Sequence, residues 1–142
     1  VASFFGITLS AALDAHLRDG APTLDLAGLA GAAGCEAGRP VRLLDPRGEA
    51  VAAGLADPDN GVVFVLSHEP VRGFDAGFFA ARVARAVTLR RQLGLCPGEG
   101  CYRLLNAEGD GLPGFSVDRF GEFAVVCAPS RPLLPFARLL AR

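Results

Sequence analysis

Apolar residues return at every second position through Phe115 and Val117 and again through Phe123, Val125 and Cys127, the repeat of half-buried strands whose side chains alternate between two faces. Upstream the period changes: Phe79, Val83, Ala86, Val87 and Leu93 share one face at helical spacing, so residues 75–93 predict an amphipathic helix. Asp75 is placed to cap its first turn, and Gly94 to end it in a left-handed conformation. Between 35 and 70 three short strands are expected, around Val41, Leu43 and Leu44, over 51–55 and over 62–66. Asp45-Pro46-Arg47-Gly48 and Asp57-Pro58-Asp59-Asn60-Gly61 supply the turns between them. Residues 24–33 and 132–142 each predict one short helix, the second carrying Leu133, Leu134, Phe136, Leu139 and Leu140. A few helices among many short strands make an α+β chain.

Gly109, Gly111 and Gly114 spell G-x-G-x-x-G, a spacing that serves a dinucleotide or S-adenosylmethionine loop when it follows a strand and opens a helix. Here the period-two pattern resumes after Gly114, which predicts a strand and removes the helix N-terminus that would hold an anion. Glu108 and Asp110 through Gly114 are therefore expected to form a structural turn, with glycines at positive φ and one dihedral fixed by Pro113. Asp118-Arg119-Phe120-Gly121 reads as the hairpin connection that follows, with Gly121 left-handed. Strand, ordered loop, strand, tight turn, strand is the expectation for 102–128.

Arginine supplies every cation: fourteen arginines and no lysine against fifteen acids give a net charge of −1, so no global field draws the chain to nucleic acid. Locally, Arg72, Arg82, Arg85, Arg90 and Arg91 face the single acid Asp75, a basic stretch able to meet phosphate. At 100° per residue Arg90 lies near the middle of the helix's apolar face and Arg82 just inside its edge. A core-facing arginine must snorkel outward or find an acid. Two readings stand: Arg90 bonded to Glu108, Asp110 or Asp118, pinning the turn to the helix, or Arg82, Arg85 and Arg91 meeting RNA phosphate.

Tyr102-Arg103-Leu104, then Asn106 through Gly121, preceded by the arginine-bearing stretch 74–94, closely resemble the N-terminal half of bacterial SAM-dependent ribosomal RNA methyltransferases of the large-subunit methyltransferase I type. The resemblance covers residues 38–128 and is strongest over 74–128. It implies a small PUA-like β-barrel over residues 1–70, with the place of 1–34 open, and a strand-strand-helix-strand-strand connecting module over 71–142. A Rossmann-like catalytic domain, with its SAM loop and cysteine nucleophile for cytosine C5, would lie outside the chain, which then reads as truncated. Ribosomal RNA is the implied partner, with Arg72, Arg82, Arg85, Arg91 and Arg103 as its contacts and no cofactor held by this chain, SAM being expected of the complete protein. Leu17-Arg18-Asp19-Gly20 fits the family's opening, but Ala21-Pro22-Thr23 stands where a His-Pro-aromatic triplet is expected; neither Ala21 nor Thr23 packs or stacks as a ring would. A stand-alone RNA-binding or ribosome-assembly module without methyltransferase activity is the alternative.

With 142 residues the chain buries about two-thirds of its unfolded surface, enough for one domain or two small ones. Eighteen glycines and ten prolines fit many turns and short elements. Thirteen uncharged residues open the chain, without the basic start of a secretory signal and too few to span a bilayer, so a cytoplasmic protein with no membrane partner is expected. Cys96 and Cys101 flank a tight Pro-Gly segment, yet Cys35, Cys127, His16 and His68 stand singly, so no metal is expected. Apolar surface left bare by a missing domain would favour self-association, as in a homodimer.

Overall fold

The computed structural model describes residues 3–95 and 100–141. These form two compact units: the residues up to Gly73 with the short returning segment Ser130–Pro132, and Phe74–Pro129 with the residues from Leu133 onward.

The first unit is built on a mixed five-stranded sheet. Its strands are β1 (Phe5–Thr8), β2 (Thr23–Asp25), β3 (Pro40–Leu44), β4 (Ala50–Asp57) and β5 (Val62–Ser67), in the spatial order β1-β3-β4-β5-β2. β1 runs parallel to β3, with Phe5 beside Val41 and Thr8 beside Leu44, and the other pairings are antiparallel. Helix α1 (Ala11–Arg18) follows β1, its first turn capped by Ser10, whose hydroxyl accepts from the Leu13 N–H. Ile7, Leu17, Leu24, Val41, Leu43, Ala52, Ala56, Val63 and Val65 form the core. At Gly54 the β4–β5 register shifts, and a Cβ there would lie 2.2 Å from the Phe64 carbonyl oxygen. Only glycine allows that approach.

One expectation changes in this unit. Residues 24–33 make no α-helix: Leu24 lies in β2, and Asp25 ends the strand by accepting from the Ala27 N–H over one 3₁₀ turn, Leu26–Gly28. Positive φ at Gly31 and Gly34 keeps the chain irregular beyond it. Ala21, standing where the family resemblance would place a ring, is buried beside this strand, and the Pro22 carbonyl oxygen accepts from the Val65 N–H.

The second unit places helix α2 (Ala76–Gln92) and helix α3 (Leu134–Leu140) with an antiparallel sheet of β6 (Cys101–Asn106), β7 (Ser116–Phe120) and β8 (Phe123–Cys127), in that spatial order. Asp75 accepts from the Phe78 N–H at 2.9 Å, and Gly94 follows the helix at φ 68°. Phe79 and Phe115 meet edge to face, Phe136 from α3 packs against Phe79 and Phe74, and Leu105, Leu112, Val117 and Leu133 complete the core. Leu93, placed by spacing on the apolar face, is instead the C-cap residue of the helix and is 61% exposed. The hairpin turn is also tighter than expected: Asp118, Arg119 and Phe120 belong to β7, and only Gly121, at φ 59°, and Glu122 separate the strands. Of the two cysteines that flank the Pro-Gly segment, Cys101 is described and Cys96 lies outside the described residues.

Candidate nucleic-acid interface

Helix α2 carries four of the basic residues, and its geometry sorts them by what the protein has already bound. Arg90 points inward from the last turn. Its Nη1 and Nη2 donate to the two oxygens of Asp110 at 2.6 and 2.7 Å, and its Nε to the Arg103 carbonyl oxygen at 3.1 Å. Asp110 also accepts from the Asn106 N–H at 2.5 Å, so one buried, forked ion pair ties helix, strand and loop together. Glu108 stays at the surface, its carbonyl oxygen accepting from the Gly111 N–H.

Arg82 is held as well. Its guanidinium lies 3.6 Å from the centroid of the Phe78 ring and donates through Nε to the Gly111 carbonyl oxygen at 3.2 Å. Burial, then the neighbouring charge of Arg85, pulls its pKa below the ordinary arginine value. Arg103 pairs with Asp118 across β6 and β7, Nε and Nη2 meeting the two carboxylate oxygens at 2.9 and 3.0 Å. That hydrogen bond holds the Asp118 carboxyl below its usual range. By contrast Arg85 and Arg91 on α2, and Arg72 in the first unit, are exposed and make no hydrogen bond or ion pair among the described residues. Of the five arginines assigned to RNA, these three offer their full donor set to a phosphate.

The loop from Ala107 to Phe115 is a closed structure of its own. A 3₁₀ turn, Ala107–Asp110, is followed by Gly111 at φ 71° and Gly114 at φ 81°, with Pro113 buried between them. Gly109 does not use positive φ; Ala107 does, at φ 40°. The Ala107 N–H donates to the Phe115 carbonyl oxygen at 2.9 Å, and the Leu112 N–H to that of Ala107 at 3.0 Å. A strand follows, so the three glycines face no helix N-terminus. A shallow groove of about 410 Å³ runs beside this loop, lined by Arg85, Thr88, Leu89, Gln92 and Gly109.

In the first unit the structure adds residues that the chain's pattern did not single out. The guanidinium groups of Arg39 and Arg42 lie over the Phe5 and Phe4 rings, at 5.1 and 4.7 Å from the centroids. Arg42 Nη2 donates to the Val71 carbonyl oxygen at 3.5 Å, next to Arg72. The signal was faint: the rings belong to an uncharged stretch with no period, and only the parallel pairing of β1 with β3 brings them to the arginines. Among the described residues no group of His, Cys, Asp and Glu could hold a metal ion, and no helix is long and apolar enough to cross a membrane.

This fold is shared with larger proteins. A protein from Streptococcus mutans assigned as a SAM-dependent methyltransferase matches with a TM-score of 0.80 at 16% identity, over 97% of this chain and 36% of its own. A protein assigned as a methyltransferase and crystallised with SAH matches at 0.81 and 15%, over the same shares. At such identities the likeness is one of fold. No family model matches the chain. In sequence, it is 34% identical over 90 residues to the ribosomal RNA large subunit methyltransferase I of Escherichia coli O139:H28 (strain E24377A / ETEC), and equally to that of Shigella boydii serotype 18 (strain CDC 3083-94 / BS512). The matched stretch is 63% of this chain and 23% of each relative, so the chain is homologous to these enzymes over that stretch and spans about a quarter of their length.

Proposed function

We propose that this chain is the RNA-binding and connecting portion of a SAM-dependent ribosomal RNA (cytosine-C5) methyltransferase, acting on ribosomal RNA in the cytoplasm. The observation that carries the reading is the 34% identity over 90 residues to ribosomal RNA large subunit methyltransferase I. In this reading the unit built on β1 to β5 is a PUA-like RNA-binding domain, and the unit of α2, β6 to β8 and α3 connects it to a Rossmann-like catalytic domain. Its contribution is affinity and register on RNA rather than turnover, since the Gly109 to Gly114 loop is followed by a strand and offers SAM no helix N-terminus. The exposed Arg72, Arg85 and Arg91 supply phosphate contacts. They position the RNA without reading its sequence.

Titrating the chain with ribosomal RNA at several salt concentrations tests the proposal. Three freed phosphate contacts predict that log K falls with log salt at a slope of about −2 to −3. Affinity that is absent at low salt, or that ignores salt, removes the RNA-binding reading.

A further inference from the structure

The groove beside the Gly109 loop does not end with the residues that flank Arg85. A second concavity, of about 520 Å³, takes in Leu93, Leu95, Tyr102 and Asn106. Leu89, Gly109 and Asp110 line both, so one groove follows the C-terminal half of α2. From Arg85 to Leu93 the helix rises about 12 Å, the length of a few stacked nucleotides.

The chemistry changes along the groove. At one end Arg85, with Arg91 near it on α2, is exposed and paired with no acid among the described residues. Asp110 in the wall adds no repulsion, because Arg90 holds both of its oxygens, and Glu108 is the loop's exposed acid. This end is therefore net positive. The other end is apolar: Leu89, Leu93 and Leu95 are 42%, 61% and 49% exposed. Tyr102, the chain's single tyrosine, lies there, with its hydroxyl accepting from Arg119 Nη1 at 3.3 Å and the Arg119 guanidinium 5.9 Å from its ring centroid. Between the ends the side-chain amides of Gln92 and Asn106 make no hydrogen bond among the described residues, so their donors and acceptors stay open. Gly109 leaves room for the second of these, since a Cβ there would stand 3.3 Å from Asn106 Nδ2.

We infer that this groove holds a single-stranded segment of RNA, its phosphates at Arg85 and Arg91 and an unpaired base against Tyr102, which rests on the RNA-binding reading and adds to its phosphate contacts a seat for a base. Cations alone would suit any polyanion, but a ring, bare leucines and open amides in the same groove suit a base, which has an apolar face and a polar edge. Paired RNA offers neither. In a duplex the Watson–Crick edge is taken by the partner base and the faces by the stacked neighbours, so only the phosphates would be left for Arg85 and Arg91 to meet.

Binding of ribosomal RNA to the 142-residue chain, competed with single-stranded oligouridine and with an oligoadenosine–oligouridine duplex of equal length, tests the groove. The single strand should compete at least about tenfold better than the duplex. Tyr102→Leu should weaken ribosomal RNA binding by about fivefold or more at an unchanged salt slope, since a ring is lost and no charge, and Tyr102→Phe should keep the affinity within about twofold. Oligouridine carrying 5-bromouridine, irradiated on the unmodified chain and analysed by mass spectrometry, should cross-link at Tyr102, a readout that depends on no variant. Binding undiminished by Tyr102→Leu, a duplex that competes as well as the single strand, or cross-links confined to the first unit would each overturn the groove while leaving the RNA-binding reading in place. An unmodified chain with no affinity for ribosomal RNA removes both.

Discussion

Arg90 shows how much of the second unit depends on one side chain. It lies on the buried face of α2 and meets both oxygens of Asp110, so losing either partner strands a charge away from water. Arg90→Ala or Asp110→Ala is expected to cost about 3–5 kcal/mol in urea unfolding, and the double variant less than the sum of the two. Additive costs would show that the pair is not coupled. Helical spacing put Arg90 on the apolar face but left three acids open, and the choice of Asp110 rests on a backbone feature that no period signals. Ala107 adopts φ 40°, a left-handed conformation that an alanine takes up only under strain, and this turns the loop so that Asp110 faces the helix. Ala107→Gly should therefore stabilise the chain by about 1 kcal/mol, against the usual loss when glycine replaces alanine. A loss of stability would mean the strain is carried elsewhere.

At the scale of elements, α2 was the most legible, because seventeen residues give the helical period room to repeat and both ends carry their signals. β3 to β5 and β7 to β8 were legible from alternation and from the turn residues between them. β1, α1 and β2 were not: four, eight and three residues are too short to establish a period, and β1 and β2 are placed by their partners β3 and β5 rather than by their own pattern. Helical spacing also scattered the arginines around α2, but it could not tell which of them the protein would occupy. Contacts made across the unit decide that, Phe78 and Gly111 taking Arg82 and Asp110 taking Arg90, just as on β6 the β7 acid Asp118 takes Arg103. The RNA reading therefore predicts a graded result. Arg85→Ala and Arg91→Ala should each weaken ribosomal RNA binding across sequences and reduce the salt slope by about 1, with the fold unchanged. Arg103→Ala should change the slope less, since its charge is already answered. Equal effects from all three in filter binding would argue against this division.

For the whole molecule, likeness of fold reaches further than likeness of sequence: 97% of the chain superposes on the Streptococcus mutans protein, while 63% aligns with ribosomal RNA large subunit methyltransferase I. Contacts distant in sequence are what such a fold keeps and a local reading misses, and Asp57 is the clearest case. It is buried at the end of β4, and its carboxylate accepts from Asn60 Nδ2 at 2.7 Å, from the Asn60 N–H at 3.2 Å, and from Ser130 Oγ at 2.5 Å, seventy-three residues along the chain. Asp57-Pro58-Asp59-Asn60-Gly61 announced a turn, but nothing local announced Ser130. Burial alone would push the Asp57 carboxyl up; the hydrogen bonds from Ser130, Asn60 and the Asp59 backbone outweigh it and hold it below the ordinary value. A carboxyl depressed on folding contributes stability that is present above the unfolded pKa of about 3.9 and is lost as pH falls through the folded one. Ser130→Ala removes the hydroxyl donor and leaves a buried carboxylate oxygen short of a partner, which should cost about 1.5–3 kcal/mol at pH 7. The cost should shrink as pH falls below about 3.9 and through the depressed folded pKa, as protonation removes the charge that the hydroxyl stabilised. Urea unfolding of parent and variant from pH 7 down to the acid limit of folding measures the difference directly, and a gap that does not narrow with falling pH would show that Ser130 acts through packing rather than through the Asp57 charge.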